Sequence, residues 1–266
     1  METVYAEPAG AAYSRKELMA VAASREIRDG EIAFIGTGLP MLGGMLAKTT
    51  HAPNALLIFE SGVVDARPKR TPLSIGDACL VPGAAMLCGL SEVFGLILQP
   101  GYVDVGFIGA AQIDRFGNLN TTAIGDYRRP KVRLPGSGGA NDIGSLAKRF
   151  IVMMAQDERK FVPKVDYVTT PGYIDGPGGR ERAGLPRGGP AAVITNLGIY
   201  RFEGKTKEIY LDSFHPGISI EEVRHNSSFP LRVAPAVTET KPPTDEELRV
   251  LRTVCDPEGI FLGSGD

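Results

Sequence analysis

Glu60 stands where an apolar run, residues 55–59, stops, and Ser61 and Gly62 follow it at once. In an open α/β sheet, ligands bind beyond the carboxyl ends of the strands, so a lone acid at that point faces a site. Two roles are open to it: work on a ligand, or service as a capping or ion-paired carboxylate at a strand end. Ser61 raises the thought of a hydrolase, but a nucleophile elbow needs G-x-S-x-G and the residue two before Ser61 is Phe59. Serine catalysis is not supported.

Two glycine-rich turns come next. Gly36-Thr37-Gly38 follows an apolar run and precedes a helix, with Glu60 about two dozen residues on, which imitates a dinucleotide fingerprint. The imitation fails at position 41, where Met41 replaces the third glycine, and at Pro40, which stiffens the turn. A tight strand-to-helix connection is the reading that remains. Residues 136–142 read Gly-Ser-Gly-Gly-Ala-Asn-Asp and lead into a helix over 143–148. Successive glycines leave their amides free, and amides at a helix start can hold a developing oxyanion or a phosphate. A plain turn with positive φ remains the alternative. No Lys-Ser/Thr pair follows the glycines, so this is not a P-loop.

Two basic segments could meet an anionic ligand: Arg128, Arg129 and Lys131 just before the second glycine turn, and Arg180 and Arg182 later. Solvated loops or subunit-interface ion pairs are the default reading of both. His51, His215 and His225 are scattered without metal-ligand spacing, and Cys79, Cys88 and Cys255 form no metal-type pair. They read as structural histidines and reduced thiols, and no metal site is expected.

These residues need a scaffold, and 266 residues with 43% hydrophobic and 23% charged side chains can bury a sizeable core. A formal charge of −2 supplies no basic field for nucleic acid. No apolar run reaches the length of a membrane span, and no leader is visible, so a cytoplasmic location is expected. Ser14 to Glu17 makes a capping box for a helix ending near Gly30. Apolar runs at 31–36 and 55–59 flank a helix over 42–48, a right-handed parallel crossover unit. Further runs at 103–108, 150–154 and 165–168 continue the pattern, the last two spaced for an edge or antiparallel pairing. Runs at 191–195, 199–202 and 208–211 read as a meander, and capping boxes at Ser219 and Thr244 start helices on either side of the proline-rich stretch 235–243. The expected fold class is α/β, an open, mostly parallel sheet with flanking helices and some antiparallel strands, in a single domain over 1–266.

Six segments kept in order carry a resemblance over nearly the whole chain. Gly36-Thr-Gly-Leu-Pro40, Glu60-Ser61-Gly62, Gly109-Ala-Ala-Gln-Ile-Asp114, Gly125-Asp-Tyr127, Gly136-Ser-Gly-Gly-Ala-Asn141 and the stretch 172–186 resemble the B (beta) subunits of family I coenzyme A transferases, of the glutaconate type. The resemblance implies a Rossmann-related fold and a ping-pong transfer of CoA between an acyl-CoA and a carboxylic acid. It implies that Glu60 forms a transient glutamyl-CoA thioester, with no cofactor beyond CoA itself. Beside it, Gly138, Gly139 and Ala140 are candidate oxyanion donors, Asn118 and Asn120 either orient a carboxylate or thioester or serve only as turn residues, and Ser61 and Gly62 flank the nucleophile. The resemblance also implies a similar A (alpha) subunit as partner, in a heterotetramer or heterooctamer. Relatives on this scaffold that decarboxylate, hydrate or hydrolyse acyl-CoAs, and a non-catalytic nucleotide-binding subunit, stand as the alternatives.

Overall fold

The computed structural model of the chain describes residues 12–185 and 187–263. Pro186, which ends the sixth of the segments above, lies outside the described residues. The backbone separates into two compact units, residues 1–107 with 241–266 and residues 108–240.

In the first unit the capping box forms as its residue types require. The Glu17 amide donates to Ser14 Oγ at 3.2 Å and the Ser14 amide to Glu17 Oε2 at 2.6 Å. They open α1, Arg15–Ser24, which is buried along nearly its whole length. The helix stops a turn and a half before Gly30, and that glycine makes the turn into the sheet at φ 79°. Strand β1, Ile32–Ile35, then leads through α2, Leu39–Thr49, to β2, Leu56–Phe59. The strands pair in parallel, Ile32 opposite Leu56 through Ile35 opposite Phe59, which is the expected crossover unit. α2 can lie close on α1 because Gly43 has no side chain: a Cβ there would sit 2.9 Å from that of Ala23. Leu18 and Val21 of α1 and Leu42 and Leu46 of α2 are all fully buried. Each such side chain contributes about 1.5–3 kcal/mol.

β3, Val63–Val64, turns back antiparallel on β2, and β4, Met86–Leu87, pairs antiparallel with β3. After a short α3, Leu90–Glu92, running into π-helical Val93–Leu98, β5, Val105–Ile108, pairs in parallel with β1. The strand order is β5-β1-β2-β3-β4.

The second unit opens with two small ribbons, β6, Gln112–Ile113, on β7, Leu119–Asn120, and β8, Ala123–Ile124, on β9, Val132–Arg133. α4, Ala140–Leu146, precedes β10, Arg149–Met153, and α5, Gly179–Arg182, precedes β11, Pro190–Ile194. β12, Gly198–Phe202, and β13, Ile209–Phe214, complete the expected meander, antiparallel in turn, while β10 is parallel to β11. Then come α6, Ile220–His225, and β14, Arg232–Glu239, which pairs in parallel with β13. The order here is β14-β13-β12-β11-β10. The fold is α/β with parallel and antiparallel strands in both units.

Two elements depart from expectation. Residues 165–168 form no strand. The Asp166 carboxylate instead accepts from the Gly125 amide at 2.9 Å and from Gln112 Nε2 at 3.1 Å, and Tyr167 and Val168 are exposed. β14 runs through Pro235, in what the sequence marks as a proline-rich connection. As the last strand of its sheet it has one partner, so a missing N–H on its outer side costs no ladder bond. The chain then returns to the first unit with α7, Asp245–Val250, opened by the second full capping box, Thr244 with Glu247.

Candidate active site

β2 delivers Glu60 to a tight turn. The Phe59 carbonyl accepts a hydrogen bond from the Gly62 amide at 3.0 Å, which places Glu60 and Ser61 at the two central positions of a β-turn. The backbone on the far side is held three times over. The Cys88 amide donates to the Gly62 carbonyl at 2.9 Å and the Cys88 thiol approaches it at 3.4 Å. The Ser61 hydroxyl donates to the Ile75 carbonyl at 2.6 Å. Gly62 itself adopts φ 101°, a conformation open to glycine and strained for other residues. On this fixed turn the half-buried Glu60 carboxylate makes no hydrogen bond or ion pair among the described residues. The ion-paired or capping role left open by the sequence would need such a partner.

The second glycine turn belongs to the other unit. Gly136 is pinned to the strand end beyond β7: its amide donates to the Thr121 carbonyl at 2.9 Å, and its carbonyl accepts from Thr121 Oγ1 at 2.8 Å. Gly136 and Gly138 take φ 98° and 46°, and Gly139 is the N-cap of α4. The amides of Ser137, Gly138 and Gly139 have no partner among the described residues, and Gly138 is exposed. Ala140 differs: its amide closes the turn onto the Ser137 carbonyl at 2.9 Å, so it offers no free donor. The turn thus leaves three successive N–H groups without a protein partner, a chemistry suited to a negative oxygen.

Asn118 and Asn120 are buried and fully engaged. Asn118 donates to Asp114 and to the Ile174 carbonyl, and its Oδ1 accepts from the amides of Gly172 and Ile174. Asn120 donates to Gln112 Oε1 and the Ala123 carbonyl at 2.7 Å each, and accepts from the amides of Thr122 and Ala123. An amide with both hydrogens and both lone pairs occupied has nothing left for a ligand. These two residues shape the loops around β7. Burial raises the pKa of the nearby Asp114 carboxyl, against the hydrogen bonds from Asn118 and Phe116.

The two basic segments separate clearly. Arg180 is buried, and its guanidinium donates to the carbonyls of Pro171, Gly172, Gly144, Ser145 and Arg187. Arg182 pairs with Asp175 at 2.6 Å. Arg128, Arg129 and Lys131 are exposed and form no ion pair among the described residues. Among the histidines, His215 is buried between the Thr195 carbonyl and Thr240 Oγ1, and no cluster of three or more His, Cys, Asp or Glu among the described residues could hold a metal ion. Burial pushes the Cys255 thiol up to about 12 and raises those of Cys79 and Cys88 as well. No cysteine is therefore a ready thiolate, although Cys88 lies beside Glu60's turn. Sequence reasoning misses Ile75 and Cys88 as the clamps of that turn, since both act through the backbone or through contacts distant in the chain.

The family profile described as Coenzyme A transferase matches residues 16–226. The chain belongs to the coenzyme A transferase family. It is 46% identical over 243 residues to the B subunit of 3-oxoadipate CoA-transferase from Pseudomonas knackmussii, covering 91% of this chain and 94% of that one. It is 42% identical over 255 residues to the B subunit of glutaconate CoA-transferase from Acidaminococcus fermentans, covering 94% and 95%. The crystal structure of glutaconate coenzyme A-transferase from Acidaminococcus fermentans superposes with a TM-score of 0.90 at 39% identity, covering 96% of this chain and 99% of that one. The α/β fold is that of a CoA-transferase subunit, as the six ordered segments imply. No helix among the described residues is long and apolar enough to cross a membrane.

Proposed function

We propose that this chain is the B subunit of a two-subunit CoA-transferase that moves CoA between an acyl-CoA and a carboxylic acid, with Glu60 as the covalent carrier. The observation that carries the reading is the unpaired Glu60 carboxylate on a backbone clamped by Ile75 and Cys88. Fixing the backbone removes orientational freedom from the attacking oxygen, and leaving the side chain without partners keeps both lone pairs available. The naming of both relatives as B subunits supports an A-type partner; a heterotetramer or heterooctamer is the assembly proposed.

The chemistry follows from a carboxylate meeting a thioester. A Glu60 oxygen attacks the acyl carbonyl, the C–S bond breaks, and CoA leaves as thiolate from a mixed anhydride. The thiolate then attacks the Glu60 carbonyl, releasing the donor's carboxylate and leaving CoA on Glu60 as a thioester. The acceptor acid reverses both steps. Each addition builds negative charge on a carbonyl oxygen. Backbone amide donors are suited to that charge; one such donor is worth about 10²–10³ in kcat. No ATP is consumed, because thioester activation passes from one acid to the other.

The test uses the chain co-purified with its A-type partner. After incubation with an acyl-CoA and then borohydride, the peptide holding Glu60 should carry a reduced side chain, with radiolabelled CoA exchanging between acids. A product mixture of free CoA or carbon dioxide with an unmodified peptide would mark hydrolysis or decarboxylation instead.

A further inference from the structure

The ribbon of β8 and β9 is closed by an arm, residues 125–131, that the proposed transfer chemistry does not use. Its shape is fixed locally. The Lys131 amide donates to the Ile124 carbonyl at 2.8 Å, and Asp126 Oδ1 caps the bend by accepting from the amides of Arg128 at 2.8 Å and Arg129 at 3.2 Å. Arg128, Arg129, Lys131 and Arg133 are all exposed, lie within six residues, and make no ion pair among the described residues. Elsewhere the chain's arginines commonly find carboxylates, as Arg25, Arg70, Arg182, Arg232, Arg249 and Arg252 do. A concentration of unneutralised cations on an ordered arm, in a chain of net charge −2, points to an anion from outside.

Beside them is a flat aromatic surface. Tyr127 and Tyr167 stack with ring centres 5.0 Å apart and planes 24° from parallel, yet they are 52% and 36% exposed. The Arg133 guanidinium lies over the Tyr127 ring at 5.0 Å. Water-facing stacked tyrosines, one of them with a guanidinium over its ring, form a platform on which a heteroaromatic base can stack. The same scaffold holds the free amides of residues 137–139. Thr169, two residues from Tyr167, accepts at its carbonyl from Asn141 Nδ2 at 2.8 Å and at its hydroxyl from the Thr121 amide at 2.9 Å, and Thr121 holds Gly136.

We propose that this arm seats the 3′-phosphoadenosine diphosphate head of CoA, with the adenine on the Tyr127 and Tyr167 stack and the phosphates against Arg128, Arg129, Lys131 and Arg133. The inference rests on the CoA-transferase reading and adds to it the place where the nucleotide end is held. Arg180 and Arg182 take no part, because Arg180 is buried against carbonyls and Arg182 is paired with Asp175.

The probe is adenosine 3′,5′-bisphosphate, titrated calorimetrically into the chain co-purified with its A-type partner. This ligand has no thioester, so its affinity does not depend on covalent chemistry, and Glu60→Gln should bind it as the native complex does. A failure of the transfer reading would appear in exchange assays while this binding persisted. Tyr167→Ala should weaken the bisphosphate about tenfold, the effect of removing one stacking platform. Tyr167→Phe should restore it, since it keeps the ring. Arg129→Gln combined with Lys131→Gln should weaken it severalfold at low salt, with the gap from native closing as salt rises. Unchanged affinity in Tyr167→Ala and in the double variant, both melting like the native complex, would overturn the proposal. So would loss of the A-type partner in these variants with nucleotide affinity intact, which would assign the arm to the subunit interface, or tighter binding of a single-stranded oligonucleotide than of the bisphosphate.

Discussion

Gly62 faces the backbone of Cys88 so closely that a Cβ on Gly62 would lie 1.8 Å from the Cys88 carbonyl oxygen. The same peptide accepts the Cys88 amide at 2.9 Å, so the approach cannot relax without losing a backbone bond. The glycine after Glu60 and Ser61 therefore sets the shape of the Glu60 turn through the absence of a side chain. Gly62→Ala adds this clash to a φ of 101°, a conformation costing about 1–3 kcal/mol for a residue with a side chain. The expected outcome is an enzyme that assembles with a lowered melting temperature and loses exchange activity out of proportion to the loss of folded protein. Calorimetry and single-turnover exchange on the same preparation measure both.

Shortening the proposed carrier, Glu60, by one methylene tests whether the turn or the side chain sets the attacking distance. The turn is clamped on both sides, so Glu60→Asp cannot recover reach by moving the backbone. Exchange should drop by about 10²-fold or more, the scale of an ångström-sized misplacement at a reacting centre. Glu60→Ala should abolish exchange while the complex assembles normally. Exchange at native rates in the alanine variant would refute Glu60 as the carrier.

The parts of the fold set by local patterns were legible. The capping boxes at Ser14 and Thr244, the crossover from β1 to β2 and the meander of β11 to β13 depend on side-chain periodicity and on turn residues close in sequence. Glu60 at the end of β2 was legible for the same reason, because an apolar run and its last residue are local facts. What stayed hidden depends on distant partners. The clamps at Ile75 and Cys88 are carbonyls and amides, which every residue carries. The pairing of β3 with β4 spans more than twenty residues and involves two-residue strands without a pattern of their own. Asn118 and Asn120 could be read from the sequence as substrate-orienting or as turn residues, and only the loops folded over them decide it, with Gly172, Ile174, Gln112 and Ala123 occupying their amides.

Acid should loosen the first unit through two glutamates that join its ends. Burial pushes Glu17 up, but the Arg252 side chain and the Ser14 cap together hold it below its ordinary value. Burial likewise opposes, and Arg25 with the Thr244 cap outweighs it, for Glu247. A carboxylate whose folded pKa is depressed binds fewer protons folded than unfolded, so its stabilisation is fully present above the unfolded value near 4.5 and fades as pH falls through the folded one. Melting temperature should therefore fall steeply below about pH 4.5. Replacing both residues, Glu17→Gln and Glu247→Gln, should lower stability at pH 7 and flatten that descent. An equally steep acid limb in the double variant would place the loss in other groups.

Arg180 offers the sharpest stability test, because it is a buried cation held by carbonyls and not by a carboxylate among the described residues. Removal from water lowers its pKa, so the five carbonyl contacts must offset the cost of the buried charge. Two of those carbonyls, Gly144 and Ser145, belong to the last turns of α4, and Arg187 reaches a third, Leu146, at 3.4 Å. The helix that starts at the free amides of the glycine turn is thus fixed at its other end by arginine. Arg180→Met keeps much of the volume and strands buried acceptors, a loss of about 3 kcal/mol from the upper range for one such group. Arg180→Lys should recover little, since an ammonium offers three donors from one point where the guanidinium spreads five across a plane. Urea denaturation of the co-purified complex measures both. Retention of native stability by Arg180→Met would mean that water replaces the guanidinium at those carbonyls and that α4 needs no anchor.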